Sequence, residues 1–200
     1  MSPITHFLAG WVGFESCLRN QRDRTIVCLA GLAPDLDGAG IVIDLFNKLA
    51  GLPESNFYQD WHRLYGHGIT AAIALTLLAA AIGHDRLRVA IAAFFCVHLH
   101  FLCDLLGSRG STPDDLWGLY YLGPWNVTQE MVWRGQWQLV SWQNLLITAT
   151  LLLILLERAS RKAYSPVGCI SQRADAVFIA ILQQWRRSVM KLLAHLGFKT

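Results

Sequence analysis

Residues 89–107 read VAIAAFFCVHLHFLCDLLG, 19 positions with one formal charge, Asp104, near the end. As a helix rising about 1.5 Å per residue this stretch is close to the thickness of a bilayer's hydrocarbon core. Ionisable groups in such a setting are costly and need a partner or a function. The stretch therefore predicts a membrane helix and, in its last part, a polar site.

Two further stretches repeat the apolar signal. Residues 135–156 carry no formal charge over 22 positions and end in LLITATLLLILL, about 33 Å as a helix. Residues 64–83 hold 20 positions whose titratable groups are Tyr65 and His67. Two shorter apolar pieces, 4–17 and 25–33, precede them and read as a partly inserted or tilted hairpin. Over the whole chain of 200 residues, 54% are apolar and 16% charged, with a mean hydropathy of +0.34. This composition excludes disorder, collagen and coiled coil, and speaks against a water-soluble monomer. The expected fold is an all-α membrane bundle of four or five apolar helices over residues 1–156, followed by a basic tail at 157–200.

The net charge of +3 is unevenly placed. Residues 157–200 hold eight basic against two acidic side chains, whereas residues 1–156 hold nine against twelve. Contact with an anionic membrane surface explains such a tail better than direct nucleic-acid binding. Within it, Phe178, Ile181, Leu182, Trp185, Val189, Leu192, Leu193 and Leu196 follow helical spacing, flanked by Arg173, Arg186, Arg187 and Lys191. Both an interfacial helix on anionic lipid and a helix packed on the body or on a cytoplasmic protein partner fit this pattern. The five cysteines form no CxxC pair and read as reduced packing residues. The first ten residues, MSPITHFLAG, lack the positive start of a cleavable signal.

Two short connections, 19–24 and 84–88, are rich in Arg. With alternating helices, these turns and the tail share one side, which the positive-inside rule assigns to the cytoplasm. The longer connections 34–63 and 108–134 fall on the opposite side.

Four polar clusters interrupt the apolar chain: Thr5-His6, PDLDG at 34–38, HRLYGHG at 62–68, and HLHFLCD at 98–104. The start of an odd helix and the end of an even helix share a face. His6, Asp35 and Asp37, His67, and His100 with Asp104 therefore converge opposite the Arg-rich turns. His100 and Asp104 are four positions apart, about 40° around a helix axis, so both can reach one ion. His98 points elsewhere and reads as a packing group. His84 and His195 read as exposed. Taken singly, His6 is a helix-start histidine, PDLDG a capped turn and HxxxD a buried hydrogen-bonded pair. Their convergence favours a metal site over those separate readings. Neutral imidazole and carboxylate suit zinc, manganese or iron. With His62, the candidate donors are His6, Asp35, Asp37, His62, His67, His100 and Asp104, enough for one or two divalent ions. Arg63 and Arg109 are candidates for binding an anionic group in bidentate fashion. The aromatic stretch from Trp117 through Trp125, Trp133, Trp137 and Trp142 reads as an interfacial belt or as a lid over an amphiphilic substrate.

PITHFLAGW at 3–11, LAPDLDG at 32–38, HRLYGHG at 62–68, HLHFLCDLLGSRG at 98–110 and GQWQLVSWQN at 135–144 stand in an order that resembles the inner-membrane-bound, metal-dependent hydrolases. Some members of that family are LexA-binding, and the family is distantly similar to zinc-dependent phospholipase C. The resemblance covers about residues 1–156. It places the family's polar motifs on His6, Asp35 and Asp37, His62 and His67, and His100 and Asp104. Many members carry Arg-Gly-x-Thr-His-Ser at the third element, where this chain has His-Arg-Leu-Tyr-Gly-His-Gly. The roles of His62 and His67 therefore stay open.

The resemblance implies a metal-dependent hydrolase of the bacterial inner membrane, and the positive-inside rule puts the C-terminus of this multi-pass chain in the cytoplasm. Its activity would be the cleavage of a phosphodiester, phospholipid or similar ester by metal-activated water. Asp37 would be a further ligand or the general base, and Arg63 would hold the anion. The alternative is a non-catalytic metal-binding or regulatory membrane protein that recruits a cytoplasmic partner. Clustering of the polar groups at one face argues against a transporter.

Overall fold

The computed structural model describes residues 1–195, without the side chains of residues 59 and 60. Leu196 of the tail pattern lies outside the described residues. Among the described residues eight α-helices follow one another: α1 Pro3–Phe14, α2 Gln21–Leu32, α3 Gly40–Leu49, α4 Phe57–Trp61, α5 Ile69–Ile82, α6 Arg86–Gly107, α7 Trp142–Lys162 and α8 Gln172–His195. Short 3-10 turns lie at Glu15–Cys17, Ala33–Ala39 and Pro166–Cys169. The described residues form no strand, so the all-α expectation holds. Two compact units result, Met1–Thr148 and Ala149–Thr200.

In the first unit α6 is the central helix, contacted by α1, α2 and α5. Its buried face is built from small side chains, among them Val89, Ala92, Ala93, Cys96 and Val97. These let neighbouring backbones come close, as membrane helix pairs require. Local chemistry sets the starts. Ser2 caps α1 and Pro3 opens it. Asn20 caps α2 through the Asp23 amide at 2.9 Å, and Asp85 caps α6. The first amide of α5 donates to the Tyr121 carbonyl at 2.7 Å.

At one end of the unit, the buried Asp23 accepts from the His84 and Asp85 amides at 2.8 and 3.1 Å. Arg22 donates to the Ile82 carbonyl at 2.8 Å. The two Arg-rich turns thus share one end, as the alternation predicts. None of the five cysteines is in a disulfide, and Cys28, Cys96 and Cys103 are buried.

Among the described residues three stretches are long and apolar enough to cross a membrane: Gln21–Leu49, Arg86–Gly107 and Trp142–Lys162. The first differs from expectation. The helical path continues past residue 33 through a 3-10 turn into α3, in a region read from sequence as loop. One face of α3 is satisfied by Asp44, which accepts from Ser55, Phe57 and Tyr58. The stretch 64–83 also differs, because its helix begins only at Ile69. Gly66, His67 and Gly68 form a turn instead, and the 14 residues of α5 make a shorter apolar helix.

In the second unit α8 packs on the Pro166–Cys169 turn. The buried Asp175 accepts from the Ser165 hydroxyl and, at 3.4 Å, from its amide, which fixes the break that Ser165-Pro166 introduces.

Candidate metal centre

Four segments bring the polar clusters together at the end of the first unit away from Asp23. His6 sits in the second turn of α1. Pro34 opens the 3-10 turn that carries Asp35 and Asp37. His62 follows α4, and His67 lies in the turn before α5. His100 and Asp104 share one face of α6, with His100 Nε2 3.1 Å from Asp104 Oδ2. His6, His67, His100 and Asp104 are all buried.

His6, Asp35, His100 and Asp104 each offer an atom within 4.8 Å of the others. His67 Nε2 faces the same point, 3.2 Å from His100 Nε2, 3.4 Å from Asp104 Oδ2 and 4.0 Å from Asp35 Oδ1. His6 stacks on His100 with ring centroids 3.8 Å apart. Its Nε2 stands 3.1 Å from Asp104 Oδ1, yet both of its ring nitrogens are buried without an aligned hydrogen bond, as is Asp35 Oδ2. Buried polar atoms are normally satisfied. Unpartnered imidazole and carboxylate atoms within one such group could hold a cation.

The groups behind the donors settle their orientation. The Gly31 carbonyl accepts from His100 Nδ1 at 2.9 Å, which leaves Nε2 with its lone pair toward the cluster. Asp37 Oδ2 accepts from His67 Nδ1 at 3.1 Å, with the same result. Such backing partners fix the tautomer and orientation of metal-binding histidines. Burial opposes a charged His67 ring, but Asp104 and Asp37 outweigh it and raise its pKa to about 9. The donor set of imidazole nitrogens and carboxylate oxygens fits a zinc, manganese or iron(II) ion.

Asp37, His62 and His67 form a second group of potential donors. Asp37 is already occupied. Oδ1 meets His62 Nδ1 at 2.6 Å, and Oδ2 accepts from the Gly66 amide at 2.9 Å, the Arg63 amide at 3.3 Å and His67. Gly66 permits this close turn, since a Cβ there would stand 2.4 Å from the Pro34 carbonyl and 2.5 Å from Asp37 Oδ2. All seven donors proposed from sequence thus fall into these two groups, with His67 Nε2 beside His100, Asp104 and Asp35 of the first and Asp37 and His62 forming a hydrogen-bonded pair in the second.

Two cavities adjoin the cluster. One of about 250 Å³ is lined by Asp35, Asp104, His62, Tyr58, Ser108 and Trp117 among others. The next, of about 680 Å³, shares Tyr58, His62, Ser108 and Trp117 and adds Arg63, Asp115 and Tyr120. Arg63 lies 4.2 Å over the Trp117 ring and 3.9 Å from Glu130. Its φ of 92° is a strained conformation for a side chain of this kind. Arg109 does not line either cavity; its backbone pairs with the 137–139 strand-like segment instead.

His98 packs as expected, between the Phe94 carbonyl at 2.8 Å and the Tyr121 hydroxyl at 3.0 Å. The aromatic stretch divides. Trp117 and Tyr120 wall the larger cavity, while Trp125, Trp133 and Trp142 are exposed. Sequence reasoning missed Tyr58 and Ser108. The Ser108 hydroxyl donates to Asp104 Oδ1 at 2.8 Å, and its signal was present: it follows Asp104 by four positions, one helical turn along the same face.

A helical bundle with membrane-spanning stretches and a buried His/Asp cluster at one end defines a membrane protein able to hold a metal ion. The chain belongs to the YdjM inner membrane protein family, whose family model matches residues 1–185. No curated protein and no solved structure matches it.

Proposed function

We propose that the protein is a metal-dependent hydrolase of the inner membrane that cleaves a phosphodiester, phospholipid or similar ester. The observation that carries this reading is the position of the donor cluster. Its carboxylates Asp35 and Asp104 line a cavity that continues into one walled by Arg63. His6, Asp35, His67, His100 and Asp104 would hold one divalent ion, zinc first among the candidates. Such an ion, when bound, lowers the pKa of water and polarises the electrophile.

The chain's own groups do the rest. Asp37 fixes the His67 ring and holds His62 with Nδ1 toward the carboxylate, which leaves Nε2 available to the cavity for proton transfer. Arg63 offers a planar fork to an anionic group. From the 108–139 segment, Ser108, Trp117 and Leu139 line both cavities beside the cluster. By the positive-inside rule, the end held by Asp23 faces the cytoplasm, as does the basic C-terminal segment. A reporter fused after Thr200 that is active only in the cytoplasm supports this orientation; activity outside it reverses it.

Elemental analysis of the detergent-purified protein, followed by a screen of phosphodiester and phospholipid substrates with and without chelator, tests the activity. Bound metal and turnover that chelator abolishes and zinc restores are expected. Tight metal with no turnover on any ester favours the non-catalytic, regulatory alternative. Absence of metal after growth in zinc-, manganese- and iron-supplemented media ends both.

A further inference from the structure

The second unit carries a surface that the metal centre does not use. Asp175, Ile179 and Leu182 form the buried side of α8. A second apolar row, Val177, Ile181, Trp185, Val189 and Leu192, stays exposed, with Trp185 at 65%. At about 100° per residue this row covers an arc of roughly 120° on one edge of the buried side. On the other edge, α8 and the last turn of α7 enclose a groove of about 590 Å³, to which Arg161, Arg186, Arg187 and Lys191 contribute. The groove's remaining lining residues, Ser160, Gln183 and Met190, add no carboxylate. Glu157 pairs with Arg161 from one side.

We infer that α8 docks on an anionic lipid leaflet, with the Val177–Leu192 row in the acyl region and the basic groove holding lipid phosphates. Three observations select lipid as the occupant. The groove forms at the end of Trp142–Lys162, a stretch able to cross a membrane, where headgroups must lie. Apolar row and basic groove occupy opposite edges of one helix, the arrangement of a helix lying in the interface plane. The charge excess of residues 157–200, eight basic against two acidic, complements an anionic surface.

The test uses the full chain in nanodiscs of phosphatidylcholine, with or without phosphatidylglycerol. Acyl-brominated lipids quench tryptophan, and Trp185→Phe supplies the background of the other tryptophans. Trp185 is expected to be quenched, more strongly when phosphatidylglycerol is present. The triple variant Arg186→Gln, Arg187→Gln, Lys191→Gln is expected to lose the preference for anionic lipid by about tenfold or more in lipid retention by native mass spectrometry. The triple Arg186→Lys, Arg187→Lys, Lys191→Arg variant should keep it. An unquenched Trp185 in both discs overturns the docking, including the case in which cross-linking shows a second copy on the row. Equal retention of both lipids by the wild-type protein, or a Gln variant that behaves as wild type, overturns the anionic groove. Displacement of phosphatidylglycerol by inorganic phosphate at equal concentration reassigns the groove to a free anion and overturns its lipid role.

Discussion

Asp23 and Asp104 are buried carboxylates in the same helix bundle, in different surroundings. Asp23 is met by backbone amides of a neighbouring turn and by the side chain of its own helix cap, Asn20 at 2.9 Å. Donors fixed by the backbone satisfy it, and it joins two turns. Asp104 is met instead by groups from separate elements: the Met1 ammonium, the Ser108 hydroxyl, and the imidazoles of His6, His67 and His100. One of these, His6, has no aligned hydrogen bond at all. Burial is common to both, so burial alone does not mark function. What separates them is whether the surrounding polar atoms satisfy one another or are left facing a common point.

The largest effect is expected from breaking this contrast at both ends. Asp104→Ala or His100→Ala should strip the metal from the purified protein, read as stoichiometry by elemental analysis; retained metal would remove them from the donor set. Asp23→Ala should leave metal content unchanged. It should instead cost about 1–3 kcal/mol of stability, because it takes the acceptor from two partly buried amides, read as a lowered unfolding midpoint in detergent. Loss of metal in Asp23→Ala with an unchanged midpoint would erase the distinction.

Asp37 sharpens the comparison, because it resembles Asp23 in its crowd of donors yet stands next to the site. Asp37→Asn keeps the shape but loses acceptor strength toward His67 and His62. Backing groups of this kind are worth about 10–100-fold in metal affinity. A chelator competition titration should show a loss of that size with stoichiometry preserved. Complete loss of metal would make Asp37 a direct ligand, and an unchanged affinity would deny it a role in orienting His67.

Much of this was legible in the sequence, for particular reasons. Asp104 and His100 interrupt an apolar run, where a polar side chain is costly, so they stand out without any alignment. The alternation of helices was enough to gather His6, Asp35, His67 and Asp104 at one end, since helices of nearly fixed rise leave few topologies. The division of labour among the gathered groups was not legible. Whether Asp37 binds an ion or orients a ring depends on where the Gly66 and Arg63 amides point, which spacing does not encode. The helix α3 was missed because PDLDG reads as a capped turn at the head of a connection, and Asp44 caps the following segment only once the chain has folded back. The late start of α5 was missed because Gly66 and Gly68 sit in an otherwise apolar run, and hydropathy does not register the turn they permit.

The smallest effect concerns the packing behind the centre. Gly31 lies against α6, and a Cβ there would stand 2.3 Å from Cys96 Sγ, closer than van der Waals contact allows. Its carbonyl also accepts from His100 Nδ1. Gly31→Ala must therefore push α2 from α6 and carry away the acceptor that orients a donor ring. Overpacking of this kind costs about 1–3 kcal/mol, and metal affinity should fall only a few-fold, because His100 itself remains. Cys96→Ala in the same chain removes the sulfur that the new methyl meets, so the double variant should recover both the unfolding midpoint and the affinity. Recovery of the midpoint alone would show that the Gly31 carbonyl does not set the orientation of His100. The two ends of the bundle would then differ only in how their carboxylates are paired.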